Sequence, residues 1–175
     1  MNLAIEDRET ASDRRSSFES FFRSHYRRIA RAVARLTGDP ACAEDLAIEA
    51  FWRLWCTPQA QGDKAGGWVY RTALRLGLSE LRSKARRHHY ERQTSLARSS
   101  LTPEQAHALE EERERVRQVL AALTPRQGEL LLLHSSGLSH IEIAVALDLN
   151  PKSVGSMISR AQEAFRKEYV KKYGE

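Results

Sequence analysis

The residues of this chain that could do chemistry are six histidines, two cysteines and a scattered set of carboxylates. His25, His88, His89, His107, His134 and His140 fall into no HExxH-like pattern and into no paired Cys/His ligand spacing, so no zinc or other metal site is predicted. Cys42 and Cys56 stand alone; two isolated thiols build neither a disulfide framework nor a metal quartet and point to a reducing, cytoplasmic setting. An acid/base or metal centre would have to use Glu44, Asp45 and Glu49 with His25. Asp45 and Glu49 lie one helical turn apart, but no second helix carries a matching acidic pair. The residues therefore predict a chain that is not an enzyme and that takes no metal or cofactor.

What remains is the chemistry of binding. Between Lys64 and Arg98 stand nine Lys or Arg against two Glu, a net +7, whereas the 175 residues together carry +5. Arg71, Arg75, Arg82 and Arg86 recur at steps near four and seven and so share one face of a helix, which Arg87, His88, His89 and Arg92 extend. Such a stripe is either a solvated basic face or a grip on the phosphates of a nucleic acid.

The elements that must carry these residues read as helices throughout. Residues 1–15 are charged and aperiodic and predict a frayed leader. From Phe18 the apolar positions Phe18, Phe22, Ile29, Val33 and Leu36 follow helical spacing up to Gly38, and Asp39-Pro40 caps the next helix. That second helix, about 40–56, buries Ala43, Leu46, Ala47, Ala50 and Leu54. It carries a second apolar stripe of Ile48, Trp52 and Trp55 flanked by Glu44, Asp45 and Glu49, so it is either wedged between core layers or docked against a partner. A loop over 57–67 leads to a third helix, about 68–87, with Trp68, Val69, Thr72, Ala73, Leu76 and Leu81 turned inward. Met1–Ser17 is polar and the longest leucine run is Leu130–Leu133, so no membrane insertion is expected. These patterns predict an all-α chain of two small domains, residues 16–90 and 103–171, joined by a flexible linker over 91–102.

The second domain holds the most specific pattern. Leu101-Thr102-Pro103-Glu104-Gln105 and Leu123-Thr124-Pro125-Arg126-Gln127 each place a capping Thr, a first-turn Pro and a Gln able to reach back to the cap; Ser139 with Glu142 forms a third capping box. Ile143, Leu147, Leu149, Val154 and Ile158 fill the buried positions of two short helices, Ala144 allows their close approach, and Asp148 sits where the turn needs a left-handed residue. Asn150-Pro151 then starts a helix of the recognition type. This is a helix-turn-helix.

With both halves laid out, the chain resembles the extracytoplasmic-function class of RNA polymerase sigma factors. Ala43-Glu44-Asp45-Leu46, then Phe51, Leu54, Trp55 and Trp68-Val69-Tyr70-Arg71, look like sigma region 2. Leu123-Thr124-Pro125-Arg126-Gln127, Gly137-Leu138-Ser139, Glu142-Ile143-Ala144 and Ser159-Arg160-Ala161 look like region 4. The resemblance implies an alternative sigma factor that binds core RNA polymerase and directs it to promoter DNA. By that analogy Asp45, Ile48, Glu49 and Trp52 meet the β′ clamp helices, and an apolar cleft of region 4 takes the β flap. The 57–67 loop would surround a flipped base of the minus-ten element, while Arg71, Arg75, Arg82, Arg86 and Arg87 hold the melting strands. Lys152, Ser153, Ser156 and Arg160 would enter the major groove of the minus-thirty-five element. An anti-sigma factor is a further implied partner. The chain departs from the family pattern at Ile48, Arg75 and Ser79, and at Gly155 and Met157, where the recognition helix usually bears basic residues. Those departures imply an alternative, a sigma-like interaction protein with weak promoter recognition.

Overall fold

The computed structural model describes the backbone of residues 3–94 and 104–174, and the side chains of residues 14–87 and 109–174. Among these are seven α-helices, one 3-10 turn and no strand: α1 Leu3–Thr37, α2 Pro40–Trp55, α3 Ala65–Thr94, α4 Glu104–Ala122, α5 Pro125–Ser135, α6 His140–Leu147 and α7 Pro151–Tyr173. The all-α class expected from the sequence is what the chain adopts.

Helices α1 to α3 form the first unit. Gly38, at φ +69°, ends α1 in the left-handed region that a residue without Cβ enters cheaply. The Asp39 carboxylate accepts from the Cys42 amide at 3.1 Å and starts α2, with Pro40 in the first turn. Ile29, Val33 and Leu36 of α1 are buried against Ala43, Ala47, Ala50, Phe51 and Leu54 of α2 and against Val69, Ala73, Leu74, Leu78 and Leu81 of α3. Phe18 and Phe22 set their rings edge-on to Phe51, at centroid distances of 6.4 and 4.7 Å.

Two expectations about this unit need correcting. The leader over residues 1–15 is not frayed from residue 3 onward: α1 begins at Leu3 and runs 35 residues. Its first turns contain Ala, Glu and Arg and neither Gly nor Pro, so helix propensity carries the backbone although no apolar period is present. Likewise α3 is longer at both ends than 68–87. Residues 91–94 of the expected linker are helical; the rest of that linker, and the Thr102-Pro103 start, lie outside the described residues.

In the second unit, Thr124 and Gln127 form the reciprocal capping box that starts α5, and Ser139 with Glu142 does the same for α6. Asp148 takes φ 54° and ψ 58°, and the Leu149 amide donates back to the Ala144 carbonyl at 2.8 Å. Ile143, Leu147, Val154 and Ile158 are buried between α6 and α7, with Leu149 half-buried beside them. The helix-turn-helix read from the sequence is thus built as its chemistry requires. The two units are not held apart: α3 packs against α4, α5 and α6.

Candidate functional site

Three surfaces collect the residues singled out by the sequence. The first is the outer face of α2. Ile48 is 52% exposed and Trp52 60%, whereas Phe51, one position before, is 2% exposed. Ile48 and Trp52 of the second apolar stripe therefore face water, whereas Trp55 is half-buried with its ring 4.9 Å from that of Phe18 on α1. Ile48, Trp52 and Trp55 line an open apolar groove of about 420 Å³ together with Phe18 and Phe22 of α1. Asp45 is exposed beside it, and Glu49 accepts from Arg53 at 2.8 Å along the helix. A half-exposed Trp and Ile rimmed by carboxylates offer apolar area and negative charge to a partner.

The second surface is the arginine face of α3, and here the structure divides the expected set. Arg86 and Arg87 are exposed, with Arg87 donating to Glu80 at 2.9 Å. Arg71, Arg75 and Arg82 instead point into the seam with the second unit. Arg75 donates Nε to Glu129 Oε1 at 2.5 Å and Nη2 to Glu129 Oε2 at 3.4 Å, although Glu129 lies 54 residues away and its side chain is 3% exposed. Arg82 donates Nε to the Ala121 carbonyl at 3.3 Å and Nη2 to that of Leu123 at 3.2 Å. Arg71 is half-buried, and its Nε is buried with no hydrogen-bond partner in the protein. Burial, and then the neighbouring Arg75, push its guanidinium below the ordinary value. His88, His89 and Arg92 have side chains outside the described residues.

Between these two surfaces runs the 57–67 loop. Pro58–Ala60 makes a single 3-10 turn, and the Gln61 amide donates to the carbonyls of Leu54 and Trp55 at 3.1 Å each, closing the C-terminus of α2. The loop is thereby tied to the end of the helix that carries Trp52.

The third surface is the start of α7. Lys152, Ser156 and Arg160 are exposed and Ser153 is half-buried. Their polar groups are turned onto their own helix: Ser153 Oγ donates to the Asn150 carbonyl at 2.8 Å, Ser156 Oγ to that of Ser153 at 2.9 Å, and Arg160 Nε to that of Ser156 at 3.3 Å. Of the two departures on this helix, Gly155 leaves room, since a Cβ there would meet His140 Cε1 at an ordinary 3.5 Å. Met157 leans on the core instead. Behind α7 a second apolar cleft of about 300 Å³ opens toward α4 and α5, with Leu120, Leu131, Leu132 and Phe165 in its walls.

For a metal or cofactor the surroundings offer little: among the described residues no group of three His, Cys, Asp or Glu is placed to hold an ion. Cys42 is half-buried, which pushes its thiol up, and Cys56 is exposed; both are free. No helix among the described residues is long and apolar enough to cross a membrane. The residues that sequence reasoning missed are Arg28, which donates to the Ser136 carbonyl, Glu129, which accepts from Arg75, Arg126, which donates to the Leu147 carbonyl, and Arg117, buried beside Gly38 and paired with Glu110 and Glu114 of its own helix. Each reads in the sequence as an ordinary helix-surface charge, and only the tertiary packing gives it a place.

Residues 21–87 match the family model of sigma-70 region 2, and residues 113–164 match that of sigma-70 region 4. Over 157 residues the chain is 32% identical to an extracytoplasmic-function RNA polymerase sigma factor, SigJ, of Mycobacterium tuberculosis. That alignment takes in 85% of this chain and 49% of SigJ, so the chain spans about half the length of that relative. Its fold is similar to that of the sigma factor RpoE from Bartonella quintana, solved in complex with the anti-sigma factor NepR. There the TM-score is 0.52 and the identity 18%, covering 87% of this chain and 96% of the other.

Proposed function

The chain belongs to the sigma-70 family, in its extracytoplasmic-function class, and on that premise we propose that it is an alternative sigma factor, binding core RNA polymerase and directing it to a set of promoters. The observation that carries this reading is the pairing, on one first unit, of an exposed apolar-acidic groove with an arginine face. A protein that only bound DNA would have no use for Ile48 and Trp52 in water. One that only bound polymerase would have no use for the exposed Arg86 and Arg87 of α3, which lie outside the seam.

In this reading Asp45, Ile48, Glu49 and Trp52 meet the β′ clamp helices, Trp52 as the aromatic anchor and the carboxylates as the charged rim. The cleft of α4, α5 and α7 takes the β flap. Arg71, Arg75, Arg82, Arg86 and Arg87 contact phosphates of the melting minus-ten segment, which gives salt-dependent affinity, while the 57–67 loop holds an unstacked base. Lys152, Ser153, Ser156 and Arg160 approach the minus-thirty-five element. Hydroxyls there discriminate weakly between bases, so specificity leans on region 2. In this reading the polymerase performs the chemistry, and the cytoplasm, where polymerase is found, is the chain's place of action. An anti-sigma factor is a further partner under this reading, as one is for the RpoE of Bartonella quintana.

The test is to reconstitute the full chain with core polymerase, select bound fragments from a genomic pool and sequence them. Two short motifs at a fixed spacing, absent with core alone, are the expected result. A stable complex with polymerase that enriches no motif would replace this proposal with that of a sigma-like interaction protein.

A further inference from the structure

The 57–67 loop is half clasped and half open, and the clasp is completed from outside the loop. Gln61 is half-buried, and each polar group of its side-chain amide has a partner. Nε2 donates to the Leu54 and Trp55 carbonyls at 3.1 Å each, and Oε1 accepts from Arg14 Nε at 3.3 Å, across 47 residues. Turned over, the amide would set N–H against N–H and oxygen against two carbonyl oxygens, so this orientation is the one that satisfies it. Within the loop the Ala60 backbone amide donates to the Thr57 carbonyl at 2.9 Å, that of Gln61 to Pro58 at 3.1 Å, and Thr57 Oγ1 to the Arg53 carbonyl at 2.7 Å. Residues 57–61 are thereby tied to α2. Beyond them Gly62 turns the chain at φ +106°, with nothing within 4 Å of where a Cβ would stand, and Asp63 and Lys64 are exposed.

Arg14 is itself held. Its guanidinium lies 5.4 Å from the centroid of the Trp55 ring, and that ring stands 4.9 Å from the ring of Phe18. Arg14 and Phe18 are one turn apart on α1 and so share a face. Both precede residue 21, where the match to sigma-70 region 2 begins, so the support comes from a part of α1 that lies before the matched segment. A surface arginine that is merely solvated keeps its rotamers. This one gives them up to an aromatic face and to a charge-assisted hydrogen bond at once. Both contacts meet at the C-terminal end of α2, from which the loop departs.

We infer that Arg14 is a positioning residue for promoter discrimination: it holds the Gln61 amide against the end of α2 and so fixes residues 57–61, from which the open half of the loop presents Asp63 and Lys64 to the unstacked minus-ten base in one geometry. The inference rests on the reading above, that this loop holds such a base. The role differs in kind from a phosphate contact. An arginine on a phosphate adds affinity for every sequence and steepens the salt dependence. One that orders a loop through a neutral amide changes how strongly one base is preferred over another.

The experiment uses holoenzyme assembled from core polymerase and the full chain, as parent, Arg14→Ala, Gln61→Ala and the double variant, with Asp63→Ala plus Lys64→Ala as the loop-tip control. The probe is a pool of duplexes with a central bubble whose unpaired non-template segment is randomised. Bound members are sequenced, and single members are titrated across a salt series. One base position ordinarily carries roughly five- to 150-fold discrimination. At the position that the loop-tip control alters, Arg14→Ala and Gln61→Ala are each expected to lower the preference by about threefold or more, the worth of one hydrogen bond. Preferences elsewhere, the salt slope, core affinity and helicity stay as in the parent for Arg14→Ala. The double variant is expected to lose no more than Gln61→Ala, since the arginine acts through the amide, and additive losses would overturn the inference. Unchanged preferences in Arg14→Ala would overturn it and leave the loop reading standing. A uniform loss over all sequences, with the salt slope flattened by about one unit, would make Arg14 a phosphate contact and overturn it too. A loss of core affinity would assign Arg14 to the docking groove through Trp55, with the same consequence. Preferences indifferent to the loop-tip control would remove the loop reading, and the inference with it.

Discussion

Replacing Trp52 by Ala separates a docking residue from a core residue, because its neighbour Phe51 supplies the contrast on the same helix. A large aromatic side chain offers up to about 250 Å². Trp52 is 60% exposed, so only two fifths of it is withdrawn from water. That is about 100 Å², or at most about 2.5 kcal/mol at roughly 25 cal/mol per Å², and less once the compactness of the unfolded chain is allowed for. No cavity is left behind, since the ring lies on the surface. We expect Trp52→Ala to cost about 1–2 kcal/mol of stability by urea unfolding. Phe51→Ala, at 2% exposure beneath three aromatic rings of α1, empties part of the core and should cost about 3–5 kcal/mol. Against core polymerase the order reverses in meaning: the folded Trp52→Ala chain should lose an anchor worth about 2 kcal/mol or more, roughly thirtyfold in Kd by fluorescence titration. Unchanged affinity would show that this face is not where polymerase docks. A stability loss equal to that of Phe51→Ala would show that Trp52 belongs to the core after all.

The other predictions concern the two basic surfaces. Charge reversal at Arg71 and Arg82 should flatten the dependence of log affinity on log salt by about two units in bubble-DNA titrations, and an unchanged slope would mean that neither arginine meets phosphate. Gly155→Arg should tighten binding of the full chain to upstream-element duplex and steepen its salt slope by about one unit, while the helix gains up to about 1 kcal/mol relative to Gly; the 3.5 Å to His140 leaves space for the new side chain. Met157→Arg should instead lower the melting temperature, because Met157 packs on the core, and an unchanged melting temperature would show that contact to be idle.

What the sequence made legible was local. The capping boxes at Thr124 and Ser139, the left-handed Asp148 and the buried set from Ile143 to Ile158 each follow from chemistry within a few residues, and each stands in the structure as read save for Leu149, which is half-buried. The face of α2 could be listed but not assigned from its residues alone, because an apolar stripe looks the same whether it meets the core or water; α1 decides it by covering Phe51 and leaving Trp52. The start of α1 is helical although its sequence is aperiodic, since aperiodicity reports the lack of a partner face, not the lack of a helix. The seam was illegible for a different reason. Arg75 and Glu129 are 54 residues apart, and Gly67 of α3 meets Ala146 of α6 across a seam that no local pattern encodes. Hence the spacing of the arginines shows them as a set, while the division of that set between solvent and seam follows only from tertiary packing.

The most direct measurement of the central claim is run-off transcription by purified core polymerase on the selected genomic fragments, with and without the full chain. A sigma factor yields transcripts of defined length that require the chain, start a fixed distance downstream of the shared motifs, and vanish with Ile48→Asp and Trp52→Asp in a chain that keeps its helicity. Transcripts that are absent, or that start at the same places without the chain, would contradict the account.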